Sequence, residues 1–313
     1  MRLRIACSPA GIDLLRSHWE RLYSAERHTV FQTFAWNRLA AEVFADREQP
    51  YVVYAETSTG TALIPAAIAA GRLTFLGEAL FDYRDVLVAG DGEALSAAWR
   101  ELSHLGLPLA LLAVRPGEPW RGIDLRPFSE APCVRAQDIQ KLTSHSRVAR
   151  LVRRLERLGA KLMHNDGTAT ELLRSIYVRK AAQIGGDNLF DDARRVEFML
   201  RALALVPAAV DVFTLETAGA MIAALVTLRD GQVRRFYTTW FDHAWAHHSP
   251  GTALLFEVTR RSLAEGLDCD YMTGAQPHKL RFGTASIPLF RAEASAEQLA
   301  RIGGEGERVG LAA

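Results

Sequence analysis

Three stretches at residues 210–216, 221–229 and 233–240 read as strands and follow one another with only short turns between them. The turns hold Gly219 and the pair Asp230-Gly231, and the latter favours a type I′ hairpin. Connections this short join antiparallel neighbours, because a parallel crossover needs a dozen or more residues. The chain must therefore build antiparallel β-structure, and the flanking sequence indicates what covers it. Helical spacing predicts helices over 169–183 and 194–205 before the strands. After them a helix starts at Pro250 and runs through Leu254, Leu255, Val258 and Leu263 to Gly266. A strand at 269–273, a short helix at 276–282 and a last strand at 287–292 complete the series.

The first half alternates in a similar order. Strands are predicted at 3–6, 51–56, 62–69, 72–76, 86–89 and 109–114, with helices at 12–23, 34–44 and 93–104. The Pro- and Gly-containing interval 115–132 is the least regular and a natural boundary. A length of 313 residues suits about two domains of ~100–200 residues. The expected class is α/β, with two lobes of one architecture at 1–140 and 141–302, a cleft between them, and a disordered Gly-rich tail at 303–313.

Charge and cysteine usage narrow the partners. Lys+Arg of 37 against Asp+Glu of 36 leaves +1, which disfavours a globally basic nucleic-acid binder. Cys7, Cys133 and Cys269 are scattered without CxxC spacing, as in a reducing cytosol. The most apolar run, 105–114, contains Gly106 and Pro108 and is far shorter than the ~20 residues that cross a bilayer. The expectation is a cytoplasmic chain with no membrane insertion. His243, His247 and His248 cluster before the late helix, but no Cys or HExxH accompanies them, so no metal is expected.

The segment 237–279 carries the most chemical information. Ser249, Pro250, Gly251 and Thr252 open a helix directly after a strand. Proline suits the first turn, and Gly251 removes a side chain where another group could approach the backbone. The free N–H groups and positive dipole end form an anion site suited to a pyrophosphate. The alternative is an ordinary cap in which Ser249 bonds a later N–H.

In order along the chain come Phe31, Phe34 and Trp36, then the segment 76–85, a Ser/Arg-rich helix from Ser144, the S-P-G helix, and finally Gly274, Gln276 and Lys279. With this order the chain resembles the CelD-type (cellulose-biosynthesis) acetyltransferase family of the GNAT superfamily and is similar to FemX-type tandem enzymes. The resemblance implies two GNAT-like lobes, each a mixed, mostly antiparallel sheet flanked by helices. It implies an acyl-CoA co-substrate, with Ser249, Pro250, Gly251 and Thr252 at its pyrophosphate. Tyr237, Thr238 and Thr239 would offer backbone groups to the pantetheine arm and thioester. Where the family carries acidic residues and a Tyr-Lys pair, this chain has Ala275, Gln276, His278 and Lys279. His278 is then a candidate proton acceptor, with Asp270 the other.

The remaining candidates have a structural use beside the functional one. Asp270 alternates with apolar neighbours and could pair with an Arg or Lys. Asp82, Tyr83 and Arg84 could line an acceptor pocket or bridge internally, and Lys279 could face acceptor, phosphate or solvent. The basic helix 147–161 is either a solvated face or a dock for an acyl carrier protein, tRNA or CoA phosphates. Three functions follow: acyl-CoA-dependent transfer to an amine or hydroxyl of a sugar, glycan precursor or other small polar acceptor; FemX-like transfer from aminoacyl-tRNA; and a non-catalytic GNAT-fold scaffold.

Overall fold

In the computed structural model, which describes residues 1–24, 27–143, 146–183 and 188–304, an antiparallel sheet forms first. The chain begins with β1 (Arg2–Ala6), α1 (Pro9–Asp13), α2 (Arg16–Leu22), α3 (Phe34–Val43) and β2 (Gln49–Pro50). It continues through β3 (Val52–Glu56), β4 (Gly60–Ile64), β5 (Ala66–Ala69), β6 (Arg72–Phe75), β7 (Leu87–Gly90), α4 (Glu93–Ser103), β8 (Leu109–Val114) and β9 (Asp124–Val134). The stretch expected as one strand over 62–69 is two, because Pro65 has no N–H for the ladder. On one side of it β4 joins the sheet β1-β3-β4-β7, and on the other β5 pairs with β2 and β6. The single helix expected at 12–23 likewise divides into α1 and α2.

After β9 come α5 (Ile139–Thr143), α6 (Ser146–Arg157), β10 (Lys161–Asp166), α7 (Thr170–Ala181), α8 (Ala193–Leu205), β11 (Val210–Thr217), β12 (Ala220–Asp230) and β13 (Val233–Phe241). Then follow α9 (Pro250–Ala264), β14 (Asp268–Asp270), α10 (Pro277–Leu280), β15 (Ala285–Ala294) and α11 (Ala296–Gly304). Ser144, from which the basic helix was expected to start, lies outside the described residues.

The backbone divides into two units, Met1–Ser129 with Pro288–Ala313, and Glu130–Ile287. This differs from the 140/141 boundary suggested by the sequence. The irregular interval contains the strand β9, and the C-terminal segment returns to the first unit, where β15 pairs with β8 and α11 packs on α4. Residues 303 and 304 end α11, and 305–313 lie outside the described residues.

In the first unit Trp19, Phe31, Trp36 and Tyr83 are fully interior. The acceptor-pocket expectation for Asp82, Tyr83 and Arg84 is corrected here for the last two. Tyr83 sits at φ +54° with its carbonyl accepting from Gln32 Nε2 at 2.6 Å. Arg84 is buried and donates to the carbonyls of Phe75 (2.8 Å) and Leu76 (3.3 Å). Asp82 is half-buried between Phe81 and Tyr83.

In the second unit β10, β11, β12 and β13 form an antiparallel meander, β14 adds to β13 in parallel, and β9 pairs with β14 at Cys269–Val134. Ile222 to Leu228 on β12 are all buried, as expected of a strand with both faces covered. The apolar side of α6, Val148 and Leu155, joins the α9 residues Leu254, Leu255 and Val258 in one core. Tyr177 of α7 and Met199 of α8 reach β13 through Thr238 and Tyr237.

Candidate active site

β13 and β14 are neighbours for only three residue pairs, Val233–Asp268, Arg234–Cys269 and Arg235–Asp270. Beyond them β13 runs on to Phe241 along β12, while the chain leaving β14 turns away, Tyr271 N–H donating to Pro132 O at 2.9 Å. From Phe236 onward the β14 side of β13 thus has no ladder partner among the described residues, although the Phe236 ring still packs on Tyr271 at 5.1 Å between ring centres. A bulge lies at the start of this stretch: Val226 faces Thr238 and Thr227 faces Phe236, so Tyr237 is the extra residue. Tyr237 and Thr238 therefore both turn to the α7–α8 face, the Tyr237 hydroxyl to Met199 Sδ (3.5 Å) and Thr238 Oγ1 to the Tyr177 hydroxyl (3.1 Å). Thr239 is exposed, and Phe241 returns to the α9 side beside Gly251.

A 3₁₀ segment (His243–His248), capped by Asp242 Oδ1 on Ala244 N–H at 2.9 Å, leads to α9. Ser249 takes the left-handed conformation (φ +50°, ψ +51°), and its side chain makes no capping bond. The first intrahelical bond runs from Ala253 N–H to Ser249 O (3.1 Å), so the amides of Gly251 and Thr252 precede the ladder. A Cβ placed on Gly251 would meet Phe241 first, its Cδ1 at an ordinary contact distance of 3.5 Å. Pro250 is buried and Thr252 half-buried. Among the described residues, two of the buried side-chain polar atoms that lack a partner are His248 Nδ1, directly before this helix, and Thr273 Oγ1, in the loop leaving β14. Orphan polar atoms at this end of the sheet fit a ligand with its own donors and acceptors.

The residues after β14 have divided roles. Asp270 is 1% exposed; its Oδ2 pairs with Arg235, and its Oδ1 accepts from Met272 N–H at 2.8 Å. Arg235 also holds Asp230 through Nε at 2.7 Å. The proton-acceptor expectation for Asp270 is corrected accordingly, since both oxygens serve an internal bracket at the last rung joining β13 to β14. Lys279 donates to the carbonyls of Thr273 (2.8 Å) and Met272 (3.4 Å), fastening the loop around Met272 (φ +64°) and Gly274 (φ +112°). His278 is half-buried on α10, and its pKa is lowered by burial first and then by Lys279 and Arg281. Burial pushes the Cys269 thiol up to about 12, so it supplies no thiolate nucleophile.

Five arginines of α6 (147, 150, 153, 154 and 157) are exposed, and the pKa of His248 is lowered by burial first, then by His247 and by Arg154. The basic helix thus brings charge to the entrance of α9. His247 and His248 lie 3.8 Å apart between ring centres, and no three His, Cys, Asp or Glu among the described residues gather as a metal site. No described helix is long and apolar enough to cross a membrane.

Residues 144–280 match the model of an acetyltransferase (GNAT) domain. No curated protein matches the chain. The C-terminal domain of a putative lysylphosphatidylglycerol synthetase from Agrobacterium fabrum is similar, with TM-score 0.60 and 12% identity over 94% of this chain and 96% of that one. FemX is similar with TM-score 0.58 and 8% identity, over 88% and 95%. A tandem GNAT protein from the clavulanic acid biosynthesis pathway gives TM-score 0.53 and 12% identity, over 94% and 99%. The fold is therefore α/β and GNAT-like, of the tandem kind, with mixed sheets flanked by helices.

Proposed function

Starting from an enzyme of GNAT acyltransferase type with its acetyltransferase domain at 144–280, we propose that the chain transfers an acyl group from acyl-CoA to an amine or hydroxyl of a sugar, glycan precursor or other small polar acceptor. One observation carries this reading: the open edge of β13 ends beside the unladdered amides of Gly251 and Thr252. An extended thioester arm fits the strand edge, and a diphosphate fits the helix start. Ser249, Pro250, Gly251 and Thr252 would hold the diphosphate, and the backbone of Tyr237, Thr238 and Thr239 the arm and the thioester oxygen.

The chemistry asks for position, an oxyanion donor and a proton acceptor. A neutral amine attacks the thioester carbon, the C–N bond forms, the C–S bond breaks and CoA leaves as the thiolate, which then takes up the proton that His278 has received from the nitrogen. The nitrogen proton passes to His278, whose lowered pKa keeps its ring neutral at pH 7. Lys279 acts at one remove by holding the Met272–Thr273 carbonyls. The CelD-type order of motifs and a cytoplasmic setting, where the free Cys7, Cys133 and Cys269 stay reduced, belong to the same proposal.

Calorimetric titration with acetyl-CoA tests it. Binding in the micromolar to millimolar range is expected, together with its loss in Gly251→Trp, which fills the helix entrance. No heat at millimolar acetyl-CoA, or equal binding in the variant, counts against the reading. The exposed arginines of α6 favour a second one, aminoacyl transfer from tRNA, which shares the fold of FemX and requires salt-dependent tRNA retention.

A further inference from the structure

Helix α7 carries a cation where its packing period calls for an apolar side chain. Leu173, Ile176 and Tyr177 are buried at i, i+3 and i+4, and Lys180 occupies i+7 on the same stripe, half-buried. The helix tracks β13 to its end. Tyr177 bonds Thr238 at 3.1 Å, Arg179 lies 5.2 Å from the Trp240 ring centre, and Gln183 Nε2 stands 3.4 Å from His243 Nε2. The Lys180 ammonium is thereby delivered to the C-terminal end of β13, on the face opposite α9.

That ammonium lies in the last turn of α7, where the helix dipole favours a cation, and a dipole offsets only part of the cost of burying the charge. Its Nζ donates to Gln183 Oε1 at 3.3 Å, and no carboxylate pairs with it among the described residues. Burial lowers its pKa. Asp242, next to His243, caps the 3₁₀ segment through Oδ1 on the Ala244 amide. A lysine has three donors, and half-burying a cation without counter-charge is costly. A bound anion would offset that cost, with Gln183 Nε2 and, through Nδ1, His243 as further donors and Arg179 adding positive charge.

We propose that Lys180, Gln183 and His243 form an anion pocket for the acceptor, so that the molecule acylated is an amine that also carries a carboxylate or phosphate. This rests on the acyltransferase reading and names the acceptor class it takes. The donor would lie along the β14 edge of β13 and the start of α9, leaving the α7 face to the acceptor. Its amine would then reach the thioester while its anion sits on Lys180.

Matched acceptors decide it. With acetyl-CoA present, CoA release is followed for glucosamine 6-phosphate against glucosamine, and for L-lysine against 1,5-diaminopentane. Wild type is expected to favour the acid-bearing member of a pair by about tenfold to a hundredfold in kcat/KM, the range of one charge-assisted hydrogen bond. In Lys180→Met the ratio should fall towards one, and Lys180→Arg should restore part of it. Thermal shifts of the CoA-bound protein with the same four compounds read the preference without turnover. A ratio near one in the wild type, a ratio that Lys180→Met leaves unchanged, or no difference between wild type and Lys180→Met in either assay overturns the proposal. Acetyl-CoA calorimetry alongside separates the two failures. Donor binding without an anion preference removes the pocket alone, whereas no donor binding removes the acyltransferase reading and the pocket with it.

Discussion

Replacing Arg235 should damage the second unit more than replacing either of its carboxylate partners, and the structure sets the scale. The Arg235 side chain is 9% exposed and holds Asp230 (4%) through Nε at 2.7 Å and Asp270 (2%) through Nη1. Breaking one buried pair by removing a partner costs about 3–5 kcal/mol. Arg235→Met strands two carboxylates at once, against a total stability of about 5–15 kcal/mol for a domain. At about 2–4 °C per kcal/mol, the lower bound of that loss is about 6–20 °C in Tm. Asp270→Asn is milder. It removes one negative charge from a set of two anions and one cation, leaves the Asp230 pair, and keeps an oxygen for the Met272 amide. A cost of about 1–3 kcal/mol is expected, the penalty of one disrupted polar partner. The same variant tests the chemistry, because a lost general base lowers turnover about 10²–10⁴-fold whereas a lost bracket does not. The assay is scanning calorimetry of both variants with CoA release measured at 25 °C, where Asp270→Asn is folded. Equal Tm losses in the two variants would refute the bracket. A hundredfold fall in kcat for a folded Asp270→Asn would restore Asp270 as the proton acceptor.

Four further outcomes follow. Gly251→Asp should leave Tm unchanged or slightly raised, since an acid in the first turn suits the helix dipole by about 0.3–1 kcal/mol, yet weaken acetyl-CoA binding at least about tenfold by opposing the diphosphate; unchanged affinity in calorimetry removes the helix start as the donor site. Because burial, Lys279 and Arg281 hold the His278 pKa down, the acid limb of kcat/KM should lie below about 6.5, and Arg281→Met should move it upward; a limb that ignores Arg281 excludes His278. The double variant Arg150→Glu/Arg154→Glu should abolish salt-dependent tRNA retention if tRNA is the donor, and unchanged retention on a filter assay eliminates that option. His28, buried with a pKa lowered to about 4, binds its proton later in the folded than in the unfolded state. Stability should therefore fall as pH drops from about 6.5 to about 4, and a urea-midpoint profile for His28→Asn should be flatter across that window.

Local pattern revealed the elements whose cause is local. The meander at 210–241 was legible because Gly219 and Asp230-Gly231 permit only tight turns, and α9 was legible because Pro250 and Gly266 bound its apolar period. α11 was missed because the glycines at 303 and 304 suggest a tail, whereas packing on α4 makes Leu299 fully buried and holds the helix. The corrections at the site share another cause. The bulge at Tyr237 exists only in register against β12, and the Asp230–Arg235–Asp270 bracket joins residues up to 35 apart in number, where the two strands separate. Neither has a spacing that a single stretch could display. Lys180 differs, because its signal is local: a cation at the fourth position of the stripe Leu173, Ile176 and Tyr177. Read alone, that break in period could mark the frayed end of a helix; with Gln183 bonded to it and His243 beside Gln183, it marks a half-buried cation that no carboxylate pairs with among the described residues. The acceptor anion proposed above would supply Lys180 with that partner.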